Sequence, residues 1–250
     1  MPKTGEPFLG RTLPRLAVLV GPAGIGKTRF CLSYFSHLLH ESKSPFTQDL
    51  LYLLPSAEHR ERVIDLFLRK EKSGFFGERV STLSRLMQGF LKGGDFLWAT
   101  DVDRRYLLSE IVAEKAGAYF REAAAFPGFL EKMSDFVGEL KESLISLEDF
   151  KKGVIKLKKA SPEIQEKYEA LLQIYETYEK RLAALDYRDH RDGLSLLKGI
   201  THEKKGKGLQ FKHLFLDGFF DFSRSQLEFL RWLSERSEKV TLTLTVDPSR

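Results

Sequence analysis

Cysteine is nearly missing from this chain: 250 residues hold one, Cys31. An internal disulfide is therefore excluded, as is a zinc or iron–sulfur site built on clustered thiolates. Cys31 falls inside a helical pattern and reads as a small core residue. Long apolar runs are missing too. No run of apolar residues is long enough for a membrane-spanning helix, and the first residues lack the basic-then-apolar order of a signal peptide. These absences point to a reduced, cytoplasmic setting without a membrane. Neither sign of charge dominates. Forty Lys and Arg against 35 Asp and Glu leave +5 at pH 7, which is compatible with a nucleic-acid partner without demanding one. Two basic runs, Lys151-Lys152 through Lys158-Lys159 and Lys204-Lys205-Gly206-Lys207, read either as solvated loops and faces or as phosphate contacts. His37 and His40 share a helix face but lack a visible third metal ligand. No internal repeat is present.

What the chain does have is Gly21-Pro22-Ala23-Gly24-Ile25-Gly26-Lys27-Thr28, a G-x-x-x-x-G-K-T phosphate-binding loop. The apolar run Leu16 to Val20 precedes it and predicts a buried parallel strand. Thr28 to Leu39 follows as a helix. Strand, glycine loop and helix are the context this motif needs. Glycines let successive backbone N–H groups turn inward towards phosphate oxygens, and the helix start adds its dipole. Gly21 to Gly26 would cradle the phosphates with Arg29 nearby. Lys27 would reach the β- and γ-phosphates of ATP, and the Thr28 hydroxyl would ligate Mg²⁺. The alternative is a glycine-rich turn that binds nothing.

Three zones follow one another. Strand and helix alternate to about residue 95: Leu50 to Leu54 predicts a strand, Ser56 caps a helix through Arg69, Arg79 to Thr82 predicts a third strand, and Leu83 to Leu91 a short helix ending at Gly93-Gly94. Residues 96–199 hold helical patterns and no strand. Arg104 to Phe120 carries Leu107, Leu108, Ile111 and Val112 on one face. Phe129 to Leu144 follows. Ser161-Pro162-Glu163 starts the longest helix, with an apolar row from Ile164 to Leu185 that reads as core rather than as a base-stacking platform. Residues 200–250 return to α/β, with a strand at Phe211 to Leu216, a helix at Ser225 to Ser234 and a strand at Val240 to Val246. The prediction is an α/β fold: a RecA-like P-loop NTPase parallel sheet built from residues 1–95 and 200–250, interrupted by an all-helical insertion at 96–199.

A P-loop needs a second acidic group at a neighbouring strand tip to hold Mg²⁺ through water. Asp217, closing the apolar strand His213 to Leu216, fits that role. The next residue is Gly218, which offers no base to activate a water. Asp221 lies four residues on. The pattern supports nucleotide binding better than hydrolysis, and no catalytic residue is assigned. Asp186, Asp189 and Asp192 would suggest a metal cluster, but the interleaved Arg188 and Arg191 favour a salt-bridged surface.

The order of segments resembles superfamily 1 helicases of the UvrD type, and more closely the AddB/RexB-type subunit of bacterial ATP-dependent helicase–nuclease complexes. The residues that carry the resemblance are Gly21 to Thr28, Leu51 to Ser56, Val80 to Leu86, Ala183 to Asp189, and Leu216-Asp217-Gly218-Phe219-Phe220-Asp221-Phe222 with Gln226-Leu227 and Thr241 to Leu244. UvrD-type helicases read Asp-Glu-x-Gln-Asp where this chain has Gly218 and Phe220, a departure that is itself AddB-like. The resemblance implies the first RecA-like lobe with its helical insertion. The second lobe and the nuclease domain would lie outside this chain, and ATP turnover by the chain alone would be weak or nil. It further implies that the loops after the second and third strands face single-stranded or unwinding duplex DNA, with Ser56, His59, Thr82, Ser84 and Arg85 as the contacts, and that a second, AddA-like protein is a partner. An active P-loop ATPase, a small-molecule kinase and a non-enzymatic scaffold with a relic loop stay open as alternatives.

Overall fold

The computed structural model describes residues 15–42, 49–70, 78–91, 96–157, 161–193, 196 and 210–246. The runs Lys158-Lys159 and Lys204 to Lys207, and the Gly93-Gly94 and Asp247-Pro248 breaks, lie outside the described residues. The chain divides into two compact units: Met1–Met87 with Thr201–Phe222 and Leu227–Arg250, and Gln88–Ile200 with Ser223–Gln226.

The first unit is built on five strands: β1 (Leu16–Gly21), β2 (Leu50–Leu54), β3 (Val80–Thr82), β6 (Phe211–Leu216) and β7 (Ser237–Thr245). Their order in the sheet is β1-β7-β6-β2-β3, and every pairing is parallel. Parallel pairing dictates the composition of the strands. Helices pack on their faces, so central strands become nearly continuous apolar runs; Leu50, Leu51, Tyr52, Leu53 and Leu54 are all buried. Helix α1 (Lys27–Glu41) follows β1, and α2 (Ala57–Lys70) follows β2. Cys31, Leu32 and Phe35 of α1 and Val63 and Phe67 of α2 close one core with Leu50, Tyr52, Leu54, Val80 and Phe215. Phe35 meets Tyr52, Phe67 and Phe215 edge-on at 5.5–6.0 Å, contacts that contribute about 0.5–1.5 kcal/mol each beyond area burial. Helix α3 (Leu83–Phe90) runs on directly from β3. The crossover from β6 through α9 (Arg224–Glu235) to β7 moves across the sheet in the opposite sense to the step from β1 to β2. Right-handed crossovers therefore place α9 on the face opposite α1 and α2.

The second unit packs α4 (Asp101–Lys115), α5 (Gly117–Phe120), α6 (Pro127–Glu142), α7 (Leu147–Lys156) and α8 (Pro162–Ala184) around one core. Leu107, Leu108, Ile111 and Val112 are buried, as are Tyr175 and Tyr178 of the aromatic row, which is core. The ends of that row, Ile164 and Leu185, are exposed. Ser161 caps α8 through the Ile164 N–H, and Thr100 and Asp103 form a reciprocal capping box on α4. The unit departs from its sequence pattern in two places. It is not all-helical: β4 (Leu97–Trp98) pairs in parallel with β5 (Tyr187–Arg188). Two residues per strand are too few to show a periodicity. Helix α7 forms over a stretch that reads from the sequence only as a basic run, and its cap is Ser146, which accepts from the Asp149 N–H.

Of the three aspartates after α8, Asp186 is exposed as expected, and Asp189 and Asp192 differ. Asp189 is fully buried rather than on a surface. Its carboxylate accepts from Arg104, Tyr178 and the Arg191 N–H, each at 3.0 Å. Arg104 also pairs with Asp101. Lys141, almost wholly enclosed, donates to Asp192 at 2.6 Å and forms an ion pair with Glu179 at 2.7 Å. Burial pushes the Asp189 carboxyl up, but Lys141, the Arg191 N–H, Arg104 and His190 outweigh it and hold it below the usual carboxylate range. Burial dominates at Asp192, which is pushed up to about 6. These groups bind one another, and no set of three metal-ligating side chains occurs among the described residues.

Candidate nucleotide and nucleic-acid site

All five strands run the same way, so every loop that leaves a carboxyl end meets one edge of the sheet. Ligands of open α/β sheets bind along that edge. Gly21 at the end of β1 with Pro22 to Gly26 after it, Ser56 after β2, Thr82 at the end of β3 and Asp217 after β6 all stand there.

Gly24 and Gly26 take φ of +79° and +98°, the left-handed region that glycine enters without a side-chain penalty. Their geometry turns the chain from β1 into α1. Gly26 occupies the cap position of α1, has no side chain to cap it, and the first turn carries no acidic residue. The opening of this fifteen-residue helix thus carries no side-chain cap, and such a helix start is a place where anions can bind. The Lys27 ammonium bends back and donates to the carbonyls of Gly21 and Pro22, each at 2.8 Å. A phosphate entering the loop would offer this ammonium charged acceptors instead. Thr28 is half-buried in the first turn; Pro22, Ala23, Ile25 and Arg29 are exposed.

Asp217 is buried at the tip of β6. The Tyr52 hydroxyl donates to its Oδ2 at 2.8 Å and the Thr243 hydroxyl to its Oδ1 at 2.7 Å. Thr243 Oγ1 in turn accepts from the Gly218 N–H at 3.1 Å. Burial, then Cys31 and Asp217 close by, hold the Tyr52 phenol well above its usual range, so it stays a donor. Burial and Asp217 push the Cys31 thiol up likewise, which keeps it inert. A carboxylate offers about four lone-pair sites, so the two donors do not exhaust those of Asp217. Magnesium keeps several waters and takes its other oxygens from phosphates. A single buried carboxylate and the Thr28 hydroxyl fit that ion; they do not fit a metal held by protein groups alone. Gly218 has φ +79°. A Glu here would strain the backbone by about 1–2 kcal/mol, which gives the missing water-activating acid a conformational reason. Asp221 is exposed.

The five residues expected to face DNA fall at or just after the carboxyl ends of two adjacent strands, β2 and β3. Leu54 pairs with Thr82, so the Ser56 and Thr82 turns are neighbours along the edge. Ser56 Oγ accepts from the His59 N–H at 3.2 Å and meets His59 Nδ1 at 2.8 Å. Thr82 Oγ1 accepts from the Arg85 N–H at 3.2 Å. Both side chains thus cap the helices they precede, α2 and α3. Ser84 and Arg85 are exposed, with the Arg85 guanidinium on Glu78 Oε1 at 2.8 and 3.0 Å. Sequence reasoning missed Tyr52 and Thr243. The available signal was a tyrosine inside an apolar strand and the Thr-Leu-Thr-Leu alternation, which marks one face of β7 as polar.

This geometry defines an α/β protein with a glycine loop at the carboxyl edge of a parallel sheet. The chain belongs to the AddB N-terminal family, whose description "ADDB, N-terminal" matches residues 18–250. Among its relatives are proteins named as the B-type subunits of an ATP-dependent helicase/deoxyribonuclease. The one from Carboxydothermus hydrogenoformans is 27% identical over 238 residues, covering 93% of this chain and 21% of the relative. That from Desulforudis audaxviator is 28% identical, covering 93% and 20%. That from Bacillus subtilis is 26% identical, covering 92% and 20%. The chain spans about a fifth of the length of the curated relatives it matches. No helix among the described residues is long and apolar enough to cross a membrane.

Proposed function

We propose that this chain is the nucleotide- and DNA-binding N-terminal region of a DNA-repair helicase–nuclease subunit, with little or no ATP turnover of its own. The observation that carries the reading is the glycine loop: two left-handed glycines, an uncapped helix start and Lys27 bent over the loop mouth. Gly21 to Gly26 and Lys27 hold the phosphates of ATP in a P-loop NTPase manner, and Arg29 stands beside them. Thr28 and, through water, Asp217 hold the Mg²⁺, which neutralises phosphate charge. The names of the relatives support a DNA role and a partner subunit, and the partner we propose is of the AddA type. Ser56, His59, Thr82, Ser84 and Arg85 position single-stranded DNA through its phosphates, a contact that carries no sequence information. Asp217 is engaged by Tyr52 and Thr243, and glycine follows it, so the reading favours binding or sensing of nucleotide over hydrolysis.

Calorimetry tests the nucleotide half: the wild type binds Mg·ATP and Lys27→Ala loses it. Equal affinity in the two proteins would reject the assignment. Anisotropy with labelled single-stranded DNA at low salt tests the other half, and binding should weaken steeply as salt rises. DNA-stimulated turnover at the median enzyme rate of about ten per second would instead favour an active ATPase.

A further inference from the structure

We propose that Phe220 is a stacking platform for a nucleobase of single-stranded DNA, an inference that rests on the DNA reading above. Phe220 is 81% exposed, the most exposed large apolar side chain among the described residues. A lone exposed phenylalanine ordinarily needs no explanation. Phe220 differs in how it is held and where it stands.

Its loop is fixed on either side of it. On one side, the Gly218 N–H is bonded to Thr243 and Gly218 takes the left-handed φ that starts the turn. Phe219, next to it, is buried, and its ring stacks on Phe222 at 5.0 Å and 24°. The alternation of buried Phe219 and exposed Phe220 displays one ring outward from a pinned backbone. A preorganised ring loses little freedom on binding. The position is equally specific. Strand β6 pairs with β2, and a Cβ on Gly218 would meet Pro55 Cδ at 3.8 Å. The Phe220 loop therefore starts against the turn that carries Ser56. Strand β7 separates β6 from β1 and its glycine loop. Phosphate-positioning groups on Ser56 and Thr82, with an outward aromatic ring beside them, make the two halves of a sequence-tolerant single-strand site.

The test uses the whole chain, labelled oligothymidine and the same oligonucleotide carrying abasic sites. Phe220→Ala binds the normal strand about tenfold more weakly, with an unchanged salt slope because the phosphate contacts persist. Phe220→Trp restores affinity. Abasic DNA binds wild type and Phe220→Ala alike. Equal affinity of wild type and Phe220→Ala for the normal strand overturns the proposal and leaves the DNA reading standing. Absence of binding by wild type rejects the DNA reading and this inference with it. Weakened Mg·ATP binding in Phe220→Ala with DNA affinity unchanged assigns the ring to the nucleotide's base and overturns the single-strand assignment.

Discussion

His213 shows how much one buried side chain decides. It is 2% exposed, bonded to Thr241 Oγ1 at 2.7 Å and stacked on Phe215 at 4.2 Å. It also lines a cavity of about 240 Å³ with Tyr34, Asp49, Lys212 and Lys239. Burial first, and Lys239 second, lower its pKa to about 4. The unfolded chain binds this proton near pH 6.5 and the folded chain only near 4. Stability from neutral His213 is therefore full above pH 6.5 and is lost as pH falls towards 4. That span corresponds to roughly 3 kcal/mol. Chemical unfolding across pH 7 to 4 should show this extra loss in the wild type and not in His213→Gln. Identical slopes would mean that His213 is not buried neutral. Asp217 and Gly218 act at the same scale. Neither is informative alone, but Tyr52, Thr243 and the left-handed φ decide what chemistry the strand tip retains.

Elements are held by interactions of two kinds. Capping is local and legible in the sequence: Ser56 on α2, Ser161 on α8 and the Gly26 start of α1 each follow from a few consecutive residues. The charged network that ties the segment after α8 to α4, α6 and α8 is not local. Lys141 lies 51 residues from Asp192, and Arg104 lies 85 from Asp189. Their spacing carries no signal, so the aspartates read as a surface. Removing one member of an enclosed ion group leaves its partners uncompensated, at a cost of about 3–5 kcal/mol. Lys141→Met should lose that much in urea unfolding of the helical unit. A loss below about 1 kcal/mol, the usual value of an exposed pair, would place Lys141 in contact with water. The raised Asp192 carboxyl gives the unit its own pH sign. Its contribution is fully present below about pH 4 and lost as pH rises through about 6.

At the scale of the molecule, the first unit ends its sheet on β1, an edge strand. Leu16, Val18 and Val20 project from one face of it and are exposed; Val240, Leu242 and Leu244 are their register partners on β7. An apolar row on an edge that no other strand among the described residues pairs is a template for association. Sedimentation velocity on the isolated chain should show concentration-dependent self-association, reduced in Val18→Lys. A wild type that stays monomeric at all concentrations would contradict this. Ligand binding acts at this scale too. On the function proposed above, Mg·ATP at Gly21 to Thr28 would stabilise the folded state of the unit that holds it, so that unit's transition should rise in temperature while that of the helical unit stays fixed.

The sequence by itself determined whatever contiguous residues encode. Gly24 and Gly26 permit a left-handed turn, Leu50 to Leu54 reads as a buried strand, and the Lys-Thr pair after the glycines carries the expectation of a phosphate ligand. Those properties depend on backbone sterics, side-chain volume and charge within a few residues. Tertiary structure decided which distant groups meet. The pairing of Tyr52 with Asp217 spans 165 residues, the β4–β5 ribbon joins two dipeptides, and the display of Phe220 depends on a bond from Gly218 to Thr243. Strand order and register bring these groups together, and both arise from the packing of the whole sheet rather than from any local stretch of chain.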